Sequence, residues 1–425
     1  MSGSLVADLG IGPEIWLFLS LWSCLTLYFK FSRVWSVRNL DLLLLFVLVP
    51  GLMTLVANGG KGKQDWVPFV LLFIGSAFLL LRCLVDLGLS RRPLLEPNLN
   101  AAGLACLSVG ILGLLLAETV SLTVNEGVAR NPADPGGKVT GPTTSNPEGH
   151  TSESEATVKE VLKIAPLPST LKLNPPRVIL SRVLASLAHL ALVIGLIAVG
   201  GWHFDRPITG LAMATCYLML PYTRIALVDA GQSVPAALLV GAVAFYNRPA
   251  LAGAFIGLAT GIMPACLGLM ILWLGFYRLN GGARYAATSL SVLLVCGGLG
   301  LVFPDLAHFA RDLGARSLTD VGLFSDYDVP ATGSFWNGID LSYRLPVLIA
   351  YFSFVIITMI WPIEKNLGEL IALSAAVLVA TQFWYLAEGG TLVLLYLPLV
   401  ILMMFRPNLS TKRAVREPGL SVRSS

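Results

Sequence analysis

Apolar residues fall in long stretches along this chain, broken by short polar turns. Each stretch is long enough, alone or as half of a hairpin, to enter a bilayer, where only helices and closed barrels satisfy every backbone group. The pattern predicts helical segments over 15–31, 40–57, 67–87, 101–117, 178–200, 208–221, 234–246, 250–262, 265–277, 286–303, 345–361, 367–384 and 391–405. That is an all-α, polytopic transmembrane bundle of roughly 13 spans. Lys30, Arg33 and Arg38 follow the first stretch at once, and Arg91 and Arg92 follow the third. Basic residues gather on the cytoplasmic side, so the N-terminus is expected outside and the C-terminus inside.

Two arms within this pattern are short. The stretches 250–262 and 265–277 flank Met263-Pro264, and basic residues stand at both outer ends, at 248, 278 and 284. Half-depth arms lining a cavity would explain the shortness, because broken helices are tolerated where protein or water covers them. A single long kinked span fits the same residues and would invert everything downstream. Both readings stay open on sequence.

Composition agrees with the pattern. Hydrophobic residues make up 55% of the 425, charged residues 13%, and mean hydropathy is +0.75. Soluble globular chains do not combine these values. The net charge of +4 reflects basic loops and a basic tail, and no basic patch interleaved with aromatics points to nucleic acid. The six cysteines lie inside apolar runs without paired spacing, and the four histidines are scattered. Neither a disulfide framework nor a metal site is implied. No basic region precedes the first stretch and no small-residue cleavage site follows it, so it is expected to be a retained span, with Trp16 and Trp22 as interface anchors.

Polar loops divide the chain into N-terminal helices (1–121), a first exoplasmic loop (122–178), a central helical core (179–303), a second exoplasmic loop (304–342), C-terminal helices (343–405) and a basic cytoplasmic tail (406–425). The first loop is rich in Gly, Pro, Ser, Thr and Glu and cannot bury a core, so it is expected to be loosely held. Residues 161–173 within it have the pattern of a short surface element. The second loop mixes charge with aromatics and is expected to fold over a site.

Charged residues within or beside the apolar runs are costly and therefore informative. Glu118 ends an outward span. Arg224, Asp229 and Gln232 lie in the polar run that ends another. His189, inside a span, is expected to be a packed, hydrogen-bonded residue. Arg82 and Asp86, four apart on one helical face, are expected to form a local pair that snorkels to the surface.

The stretch 221–278 carries one more signal. Gly231-Gln232 leads a small apolar helix, Arg248 breaks it, the helix 252–259 reads Ala-Gly-x-x-x-Gly-Leu-Ala, and Arg278 closes the second arm. Glycines 253, 257 and 261 give one smooth face for a neighbouring helix. This stretch, about an eighth of the chain, resembles the GT-C membrane glycosyltransferases, in particular the bacterial mannosyltransferase-like branch that uses polyprenyl-phosphate sugars. It departs from them where a Lys-Pro is expected and Met263-Pro264 stands.

The resemblance implies a GT-C-like fold in a bacterial inner (plasma) membrane and a hexosyltransferase moving a sugar from a polyprenyl-phosphate donor to an exoplasmic acceptor. Membrane lipids are then the surroundings, the lipid-linked sugar is the partner, and no cofactor is named. It places the base just after a span at the start of a large exoplasmic loop, which makes Glu118 the catalytic candidate. Gln232 matches the family glutamine, Arg224 is the cation for the phosphate, and Asp229 completes the substrate-binding set. The alternative is a non-catalytic GT-C-like relative, or a lipid or solute carrier, on the same scaffold.

Overall fold

A computed structural model describes residues 13–58, 66–89, 95–121, 175–303, 339–385 and 390–409, together with 305, 309, 310, 335 and 336. Most of both long polar loops, including residues 161–173, and nearly all of the basic tail lie outside these. Every regular element described is a helix. In chain order they are α1 (Pro13–Tyr28), α2 (Val37–Leu44), α3 (Val49–Asn58), α4 (Val67–Gly88), α5 (Ala101–Ser121), α6 (Pro175–Trp202), α7 (Pro207–Met219) and α8 (Pro221–Ile225). There follow α9 (Ala230–Ala244), α10 (Pro249–Ile262), α11 (Leu267–Tyr277), α12 (Gly282–Val302), α13 (Leu341–Ile360), α14 (Leu367–Thr381) and α15 (Val393–Phe405).

Among the described residues six helical segments are long and apolar enough to cross a membrane: Val37–Leu55, Val67–Gly88, Ala101–Thr119, Ile179–Trp202, Gly282–Val302 and Ser342–Ile360. Seven further apolar helices run 10–17 residues. Five of the short ones, α7, α9, α11, α14 and α15, make the centre. α14 and α15 are buried along their whole lengths, whereas few residues of α5 and α12 are buried, and these two lie at the rim.

The segment 40–57, expected as one helix, is interrupted at residues 45–48 between α2 and α3. Pro50 explains the break, because its ring and missing N–H cannot continue a helix from the preceding turn. The Tyr222 hydroxyl donates to the freed Leu45 carbonyl at 2.7 Å, filling a need that water would otherwise meet.

The two short arms are a hairpin. The Tyr277 hydroxyl at the end of α11 donates to the Tyr246 carbonyl just before α10. A 3-10 turn, Pro264–Cys266, joins the arms. The glycines on α10 face α12: a Cβ on Gly253 would lie 2.6 Å from the Tyr285 carbonyl oxygen, and one on Gly257 would lie 2.6 Å from that of Ser289. Backbone meets backbone there, which is what a small-residue face permits.

Among the described residues a group of basic side chains gathers at one end of the bundle. His203 on the α6–α7 turn meets the Ala244 carbonyl at 2.7 Å, and Arg206 pairs with Glu96 at 3.3 Å. Arg38 donates to the carbonyls of Tyr28 and Glu96. The expected Arg82–Asp86 pair forms within α4 at 2.9 Å, but it is largely buried and does not snorkel to the surface. Arg82 reaches Asp41 on α2 through two bonds of 2.5 and 2.8 Å, and Asp86 accepts from Arg406 at 2.7 Å. Asp86 is fully buried and Arg406, expected as the first residue of a free tail, is only 5% exposed. Two cations and two anions thus tie α2, α4 and the end of α15 together in the interior. Local spacing shows only the pair within α4. Asp41 stands 41 residues before Arg82, and Arg406 stands 320 residues after Asp86.

Candidate functional site

Glu118 and Arg224 meet at the opposite end of the bundle. Glu118 sits in the last turn of α5, where a carboxylate faces the negative end of the helix dipole. Arg224 sits in the last turn of α8, a short helix that Pro221 starts after α7 stops at Leu220. Its Nε donates to both carboxylate oxygens of Glu118, at 2.9 and 3.1 Å, and one terminal nitrogen lies 2.8 Å from Oε1. The side chains are 14% and 18% exposed, so the pair is sheltered but open on one side. The guanidinium also stands 5.0 Å from the ring centre of Trp16 on α1. A planar cation between a carboxylate edge and an aromatic face is strongly oriented.

The peptide that carries Arg224 is held from both sides. Tyr222 is anchored to Leu45, and the Thr223 hydroxyl donates to the Tyr217 carbonyl. His189 meets the Tyr217 hydroxyl through Nδ1 at 2.7 Å and the Leu227 carbonyl through Nε2 at 3.2 Å. It is a packed, hydrogen-bonded histidine, and it fixes the turn on which the site stands.

Asp229 and Gln232 turn elsewhere. The Asp229 carboxylate caps α9 by accepting from the Gln232 backbone N–H at 3.3 Å. The Gln232 carboxamide donates to the Thr391 carbonyl at 3.4 Å, at the start of α15. Its Oε1 is buried and accepts no bond, and the neighbouring Ser233 hydroxyl is likewise buried without a partner. The indole N–H of Trp16 is in the same state. Buried polar groups are normally bonded, so these three mark places where a polar ligand or water completes the set. Met263, beside the bend between the two arms, is fully buried and its sulfur accepts from the Tyr385 hydroxyl at 3.9 Å.

Position along the chain points to Glu118 and Arg224 but not to Trp16, which reads as a membrane-interface anchor. Nothing in the local sequence distinguishes a tryptophan that stacks on an arginine from one that faces lipid. No His, Cys, Asp and Glu cluster able to hold a metal gathers among the described residues. Comparison with protein-family models, characterised proteins and solved structures finds no match.

Proposed function

We propose that this chain is a membrane glycosyltransferase of GT-C type, moving a sugar from a polyprenyl-phosphate donor to an acceptor on the exoplasmic side. The observation that carries the reading is the Glu118–Arg224 pair, brought together across 106 residues at one end of the bundle. The pair is the resting state. A donor phosphate exchanges for the Glu118 carboxylate on the Arg224 guanidinium, one oxyanion for another, so the cation stays paired. The released carboxylate then takes the proton of the acceptor hydroxyl as its oxygen bonds to the anomeric carbon of the sugar, and the phosphate oxygen leaves with the electron pair of the broken bond. Arg224 stabilises the charge on that leaving phosphate. The α10–α11 hairpin is a re-entrant element in this topology, the remaining apolar helices cross, and the basic end is cytoplasmic.

One observation favours the second reading, a non-catalytic relative or carrier: Glu118 and Arg224 already pair with one another without any ligand. The readings separate in a binding and turnover assay on folded protein. Arg224→Ala should weaken polyprenyl-phosphate binding by about 1.5–3 kcal/mol, the scale of a charge-assisted hydrogen bond. Glu118→Gln should spare that binding and abolish sugar transfer. Lipid binding unchanged in Arg224→Ala sinks the site; tight binding with no transfer by the native chain leaves the carrier.

A further inference from the structure

We propose that the cleft between the N-terminal ends of α10 and α12 binds a phosphate-class anion. It lies at the basic end, away from the Glu118–Arg224 pair, and stands independently of the function proposed above. The cavity measures about 300 Å³, and Arg248, Arg284, Asn247 and Asn280 are among the residues that line it. Arginine presents a planar fork that matches phosphate oxygens, and carboxamides add N–H donors to the same ligand. The positive ends of two helix dipoles, of 14 and 21 residues, point at the cleft and reinforce this charge, and neither helix has a side-chain cap in the way.

Sequence builds the cleft. Gly281 has φ of 85°, a left-handed conformation that a side chain disfavours, and a Cβ there would lie 2.6 Å from the Pro249 ring. Glycine therefore lets the two helix starts close on one another and bring Arg248 and Arg284 to one cavity. Beside it, Leu279 is 65% exposed, and Leu290 and Leu294 continue an exposed apolar face down α12. A phosphate on this spot is thus placed either as the headgroup of a lipid whose chains lie along α12 or as a free ion.

Full-length protein in detergent tests the site with two probes, phosphatidylglycerol retained in native mass spectrometry and inorganic phosphate in a thermal-shift titration. Arg248→Gln and Arg284→Gln should each lower occupancy by about tenfold, the factor that about 1.4 kcal/mol confers. Arg278→Gln, an exposed cation that does not line the cleft, should change it less than about twofold by the same arithmetic. Asn280→Asp, nearly the same shape with a negative charge, should also abolish binding, and unliganded unfolding midpoints confirm which variants fold. Retention of phosphatidylglycerol alone assigns the lipid headgroup, and a phosphate response alone assigns the free ion; either supports the site. Failure of both probes to bind, or an equal loss in Arg278→Gln, overturns it in favour of diffuse surface charge.

Discussion

Asp86 offers the sharpest test of how this bundle is held. Its carboxylate is fully buried and accepts from Arg82 Nη1 at 2.9 Å and from Arg406 Nε and Nη2 at 3.2 and 2.7 Å. With Asp41 the cluster holds, among the described residues, two charges of each sign. Asp86→Asn keeps the shape and leaves two guanidinium groups sharing Asp41. Removing one partner from a buried ionic cluster costs about 3–5 kcal/mol, because the stranded charge has lost its counter-charge. Arg406→Gln should cost a similar amount for the opposite reason. Together the two substitutions remove one charge of each sign from a direct pair, so the double variant should be more stable than the sum of singles by about 2 kcal/mol, within the range of directly coupled residues.

The assay is unfolding in mixed micelles titrated with SDS and followed by tryptophan fluorescence. A cost below about 1 kcal/mol for Asp86→Asn would put the cluster in the class of exposed ion pairs. Strict additivity in the double variant would show that Asp86 and Arg406 act separately. Either result refutes the reasoning.

Other consequences can be checked as directly. Lys365, on the turn between α13 and α14, is 4% exposed, and burial with Arg278 nearby lowers its pKa from 10.5 to about 8. The unfolded chain holds this proton more tightly, so the lysine's contribution to stability should rise with pH between about 8 and 10.5, and Lys365→Met should remove that slope. Gly257→Val should cost about 1–3 kcal/mol or more in the same unfolding assay, since the new Cβ meets α12 backbone and cannot be accommodated by a rotamer change. A cysteine introduced at Ser145 should react with an impermeant thiol reagent on intact cells while one at Ser421 stays protected; the reverse pattern inverts the proposed orientation.

The helical class was legible because it depends on segment length against bilayer thickness, whereas the two short arms left a hairpin and a single kinked span equally open. Residues 250–277 hold too many apolar positions for one span and too few for two, and the prolines and glycines show where the chain turns. The break at residues 45–48 also had its signal in Pro50, but a continuous apolar run hides a break from any reading of hydropathy alone. Contacts between distant segments were legible only in part. Arg82 and Asp86 announce themselves four residues apart, whereas Asp41 and Arg406 complete the cluster from the other helices it ties. Asp41 stands near the start of the segment 40–57 and drew no expectation from its own neighbourhood. Which cation answers depends on packing, and packing among uniformly apolar helices leaves almost no periodic trace.

The two buried charge groups differ in a way that bears on function. The described members of the cluster around Asp86 carry two charges of each sign, are 10% exposed or less, and are bonded between helices that frame the basic end. Nothing is gained there by exchanging a partner, so its value is in fixing three helices relative to one another. The Glu118–Arg224 pair is more open, at 18% and 14%, and the Trp16 indole N–H is left without an acceptor on the residue that stacks against it. A carboxylate there can be replaced by another oxyanion without stranding the arginine, and the unpaired indole donor would then gain a partner. Trp16→Phe keeps the aromatic face under Arg224 and deletes only that donor. If an oxyanion does take the place of Glu118, this variant should bind polyprenyl phosphate about tenfold more weakly, the factor for one hydrogen bond to a charged group, with unfolding unchanged. Equal binding by Trp16→Phe and the native chain would mean that the indole only stacks, and that the ligand, if it reaches Arg224, approaches from the other face.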